Sequence, residues 1–69
     1  MSAFILPGKK LKLDTPTLRK HMGEKVIYIL KNRYWEASNG IIGEVIRRQV
    51  NLGDMDFIPF DRIKEIHLL

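Results

Sequence analysis

The sequence predicts an all-β fold, a small barrel of short strands with one short N-terminal α-helix. Three observations lead there. Lys25–Leu30 is a continuous apolar run rich in β-branched and aromatic side chains, too short for a free helix, so it marks a strand covered on both faces. The stretches after it are apolar runs of about five residues broken by turn signals, the pattern of a barrel or a sandwich. The stretch before it, from Thr15 to Gly23, has a start and a stop that frame a two-turn helix.

Phe4-Ile5-Leu6 ends at the turn signal Pro7-Gly8. From Lys9 to Leu13, lysine and leucine alternate, which suits an edge strand guarded by lysines. It also suits a disordered basic arm. Residues 1–13 are therefore set apart as a basic arm or edge strand, and residues 14–69 as the barrel with its helix. Thr15 is placed to cap the helix, Pro16 suits its first position, and Gly23 ends it. Leu18 and Met22, four apart, give it one small apolar stripe, leaving Arg19, Lys20 and His21 to solvent.

In the central strand Val26, Tyr28 and Leu30 point one way, Ile27 and Ile29 the other. A basic loop, Lys31-Asn32-Arg33, follows. A second strand is expected from Tyr34-Trp35-Glu36-Ala37 and a turn at Ser38-Asn39-Gly40. Ile41 to Ile46 is the next apolar run, and Gly43 inside it implies a bulge or sharp bend. Arg47-Arg48 interrupts, and alternation resumes through Gln49–Leu52 and again through Met55–Ile58. Proline lacks the ladder donor, so Pro59 to Ile63 reads as a 3₁₀ turn before a last strand, Lys64–Leu69.

The chain has 69 residues, enough for one domain whose core alone supplies roughly 3–5 kcal/mol. It has no cysteine, so no disulfide or thiolate metal site supports it, and self-association is an expected source of extra stability. No window is long enough to span a membrane, and the N-terminal residues lack the charged region of a secretion signal, so the expected location is cytoplasmic. The net charge of +4 is uneven. Gly8 to Arg33 holds eight Lys/Arg against two acids, whereas Tyr34 to Leu69 holds four against six. That asymmetry points to a polyanion partner, although ordinary solubility produces comparable charge.

The order of features resembles the small-barrel superfamily that includes Sm-like and SH3-like domains. Pro16, Leu18, Gly23, Val26, Gly43, Val45, Val50, Leu52, Ile58-Pro59-Phe60, Ile63 and Ile66 carry the resemblance, from about Thr15 onward. It implies a five-stranded SH3-like or Sm-like barrel and ring-forming relatives. Sm-like RNA-binding proteins place an Asp and an Asn in the loop after the bend to hold a uridine. This chain has Ile46-Arg47-Arg48-Gln49 there, and His67-Leu68 after the final Ile66, so that pocket is not carried over.

Catalytic chemistry has little foothold. Ser2 and Ser38 have no recognisable base partner, and His21 and His67 belong to no cluster with metal-ligand spacing. Asp54 and Asp56 share a strand face and could share a cation, but two solvated acids are the commoner arrangement. No enzyme activity, cofactor or metal is expected. The best constellation is basic plus aromatic: Lys9, Lys10, Lys12, Lys31, Arg33, Arg47 and Arg48 for phosphates, with Trp35 as a stacking platform for a base. A lone tryptophan is more often a core anchor. The leading expectation is a nucleic-acid-binding or nucleic-acid-associated module, RNA or DNA. The alternative is a protein-interaction adaptor or inhibitor working through an aromatic rim or a sheet edge, with a homo-oligomer also in view.

Overall fold

The computed structural model describes residues 5–33 and 36–69. It is mostly β, with two antiparallel sheets. The strands are β1 (Lys9–Lys10), β2 (Lys25–Leu30), β3 (Ala37–Ile41), β4 (Val45–Ile46), β5 (Gln49–Asn51), β6 (Phe57–Pro59) and β7 (Ile63–Leu68). One helix, α1 (Thr15–Lys20), joins β1 to β2, and 3₁₀ turns occupy Lys31–Arg33 and Phe60–Arg62. The four-stranded sheet has the order β1-β7-β2-β3, and the three-stranded sheet β4-β5-β6.

Seven strands stand among the described residues where five were expected, and the two sheets are not closed into a barrel. Part of the difference is a bend. The Ile42 N–H donates to the Glu24 carbonyl and so prolongs the first sheet, while the Gly43 N–H donates to the Asn51 carbonyl and begins the second. The chain thus changes sheets between Ile42 and Gly43, and one apolar run yields both β3 and β4. The other addition is β1. Gly8 makes it possible: its φ is +83°, and a Cβ there would lie 2.0 Å from the Leu68 carbonyl oxygen. The backbone turns in against β7, pairing Lys9 with Leu68 and Lys10 with His67.

Three local readings are corrected. The helix cap is Asp14, not Thr15: the Thr17 N–H donates to the Asp14 carboxylate at 2.8 Å, and a carboxylate is a better acceptor for orphan amides than a hydroxyl. Met22 lies beyond the helix, 48% exposed, so Leu18, fully buried, is the helix's anchor. Ser38-Asn39-Gly40 is not a turn but part of β3, paired with β2 from Ile29↔Ala37 to Lys25↔Ile41. Pairing overrides the turn chemistry, and Gly40 serves a close approach instead: a Cβ there would sit 2.6 Å from the Leu52 carbonyl oxygen.

The core joins both sheets and the helix. Leu18, Val26, Ile42, Val50, Ile63 and Ile66 are fully buried, with Leu11, Tyr28, Val45, Leu52 and Phe60 around them. Burying each large aliphatic side chain contributes roughly 1.5–3 kcal/mol. The other face of β2 is covered too: Ile29 is buried, as are Leu6 and His67. His67 bonds Glu65 through Nε2 at 2.8 Å, and its buried Nδ1 has no hydrogen-bond partner among the described residues.

Candidate nucleic-acid interface

The tip between β4 and β5 is two residues long, Arg47-Arg48, and Ile46↔Gln49 is the last pair beneath it. Both arginines have positive φ, 51° and 57°. A two-residue hairpin with both central residues in the left-handed region matches the twist of its strands, but it favours Asn-Gly over arginine. Each side chain held there costs about 1–2 kcal/mol. Both residues are exposed.

The tip is anchored to its surroundings. The Arg48 carbonyl accepts from the Phe60 N–H at 3.0 Å, and the Arg48 guanidinium lies 5.3 Å from the centroid of the Phe60 ring. Phe60 opens the 3₁₀ turn that leads into β7, whose first residue, Ile63, pairs with Leu30 at the end of β2. Lys31 follows Leu30 directly, so Lys31, Arg47 and Arg48 share one end of the molecule. Lys12 joins them: Leu11 bonds the Ile66 carbonyl, which carries the chain on toward α1. Asp14 lies there as well. The Thr17 side chain, then its backbone N–H, with smaller contributions from Lys12 and Arg48, hold the Asp14 carboxyl below its usual range.

Arg19 belongs to the same neighbourhood: it is exposed, as expected, but its guanidinium is engaged. Its Nε and Nη2 donate to the Val45 carbonyl at 3.3 and 3.0 Å, which fastens the helix to the strand leading to the arginine tip. No sequence signal marks this contact, because the partners are 26 residues apart. His21 is likewise engaged, its Nδ1 lying 3.3 Å from Glu24 Oε2.

The other expected residues are placed differently. Arg33 is 3.9 Å from Glu36, both exposed, so part of its charge is answered locally. Lys9 and Lys10 are exposed on β1, near the end where β7 finishes and β2 begins, away from the arginine tip. Trp35, the expected stacking platform, and its neighbour Tyr34 lie outside the described residues.

A cleft of about 490 Å³ lies at that opposite end, between Lys25, Tyr28, Ile41, Leu52, Asp54 and Leu69. Its one lysine and one aspartate balance, so it has no surplus charge for a polyanion. Among the described residues no group of three or more His, Asp or Glu side chains is arranged to hold a metal. No helix among the described residues is long and apolar enough to cross a membrane. No protein-family model, curated protein or solved structure matches the chain.

Proposed function

We propose that the chain is a non-enzymatic binding module that engages RNA or DNA through phosphate contacts, using the end of the molecule that carries Lys12, Lys31, Arg47 and Arg48. One observation supports this most: two successive exposed arginines occupy left-handed backbone at a hairpin tip, where Asn-Gly would be easier to fold. Strain retained at an exposed position is a reason to look for a role there. Guanidinium groups on a short, anchored hairpin suit phosphate oxygens, and each phosphate neutralised releases counterions. Base readout is not part of this reading. The architecture beneath it reads as an opened variant of the Sm-like and SH3-like small barrel, with β3 and β4 as its one bent strand and a 3₁₀ turn before its last strand.

Fluorescence polarisation with labelled single- and double-stranded RNA and DNA at low salt tests the proposal. Arg47→Ala with Arg48→Ala should abolish most binding, while Lys9→Ala with Lys10→Ala, at the other end, should leave it nearly unchanged. No binding to any of these probes at low salt would overturn it. The second reading, a protein partner, is favoured by the exposed apolar side chains Ile46, Met55 and Phe57.

A further inference from the structure

We infer that a second copy of this chain docks along the free edge of β6, by antiparallel pairing of β6 with β6 about a two-fold axis near Ile58. Four strands lie at sheet edges: β1 and β3 in one sheet, β4 and β6 in the other. Three of these edges are poor templates. Lys9 and Lys10 guard β1, as edge lysines do. At the end of β3, Gly53 already approaches the Ile41 backbone nitrogen, and the Leu52 carbonyl covers the sheet face at Gly40. The β4 strand has only two residues and is held to α1 by Arg19, which donates to the carbonyl of its one buried residue, Val45.

The β6 edge is different. Around it stand three exposed apolar side chains: Ile46, 43%, and Phe57, 36%, on the strands of the second sheet, and Met55, 96%, in the bend that leads into β6. Ile46 pairs with Gln49 and Phe57 with Asn51, so the Ile46 and Phe57 side chains share the outer face, while Val45, Val50 and Ile58 turn to the core. The charges around the strand are polarised along the chain. Asp54 and Asp56 precede it. Arg62 follows, and Arg48 lies over Phe60 on the same side, against the single acid Asp61.

Antiparallel self-pairing centred on Ile58 sets Phe57 against Pro59 of the other copy, and brings the loop that carries Asp54 and Asp56 to the end of the partner's β6 from which Phe60–Arg62 departs. Parallel pairing would set acids against acids. A two-fold axis doubles each favourable contact, and isologous dimers are the commonest oligomers. The ladder is short, and Pro59 lacks an N–H, so the exposed apolar side chains must supply the remaining contact. An interface of standard size covers roughly 800 Å² per copy, and a three-residue ladder flanked by a few apolar side chains suits a reversible dimer. Dimerisation would also reinforce a domain of 69 residues that has no cysteine.

Sedimentation over a concentration series tests this with the intact chain. The wild type should pass from 8.1 kDa to twice that mass. Asp54→Arg alone and Arg62→Asp alone should each weaken association about tenfold or more, since each change places like charges together twice. The double variant, Asp54→Arg with Arg62→Asp, should recover most of the loss. Both substitutions are on exposed residues, and circular dichroism reports whether the fold is kept in all three variants. Dilution of isotope-labelled protein should shift the amides of Met55 to Ile58. A monomer at every concentration would overturn the inference, and so would a dimer indifferent to the charge swaps, which would use another face.

Discussion

Phe60 holds Arg48 twice: its backbone N–H donates to the Arg48 carbonyl at 3.0 Å, and its buried ring lies under the Arg48 guanidinium at 5.3 Å. The exposed tip of the β4–β5 hairpin is thereby tied to the hydrophobic core. A guanidinium in that position contributes about 0.5–1 kcal/mol at an exposed site.

The two arginines should therefore respond differently to relief of backbone strain. Arg47→Asn should stabilise the protein, by about 0.5–1 kcal/mol, because asparagine tolerates positive φ and Arg47 makes no ring contact among the described residues. Arg48→Gly should be close to neutral. Its relief of about 1–2 kcal/mol is offset by the lost ring contact and by glycine's greater freedom in the unfolded chain. Urea denaturation of the two variants measures both effects. Equal stabilisation by both would show that the Phe60 contact contributes nothing.

Acid should loosen the helix start. The Asp14 carboxyl is held below its ordinary value, 3.8, first by the Thr17 side chain and then by the Thr17 N–H. A carboxylate with a depressed folded-state pKa stabilises the fold above its unfolded value, and that contribution disappears as pH falls through the folded one. Denaturation followed from pH 6 down to about pH 2 should show this loss in the wild type. In Asp14→Asn, which caps without titrating, this component of the pH dependence should be absent. Identical pH profiles would remove Asp14 from the account.

The entry of β1 depends on Gly8. Gly8→Ala puts a Cβ 2.0 Å from the Leu68 carbonyl oxygen in a left-handed conformation, so β1 should leave β7. Hydrogen exchange is the direct readout: the Leu11 amide, bonded to the Ile66 carbonyl, should lose protection, while the Ile42 amide, bonded to Glu24, should keep it. Retained protection at Leu11 would mean that the chain absorbs the methyl group without undocking.

Much of this fold could be read from short-range chemistry, and the exceptions have identifiable causes. The strand from Lys25 to Leu30 has the expected bounds because an apolar β-branched run of that length has few other uses. The 3₁₀ turn at Phe60–Arg62 follows from proline's missing donor. The expected turn at Ser38-Asn39-Gly40 failed because glycine serves two purposes, and here the need was room for the Leu52 carbonyl. The helix cap moved by one residue because adjacent Asp14 and Thr15 both qualify by type. The Arg47-Arg48 turn was not recognisable as a tight hairpin, since its chemistry runs against the usual Asn-Gly preference. The grouping of Lys12, Arg19, Lys31, Arg47 and Arg48 is a product of topology. Their separation from Lys9 and Lys10 depends on β1 running antiparallel to β7, a relationship that residue types do not encode.

The most direct test of the polyanion reading is the slope of log binding constant against log salt for a labelled duplex DNA. Each phosphate contact contributes a slope of about −0.9 on duplex DNA. The wild type should show a steep slope, Arg47→Ala with Arg48→Ala should reduce it by about two such contacts, and Lys9→Ala with Lys10→Ala should leave it unaltered. A slope near zero in the wild type, or one lowered equally by both pairs of substitutions, would contradict a phosphate site at the arginine hairpin.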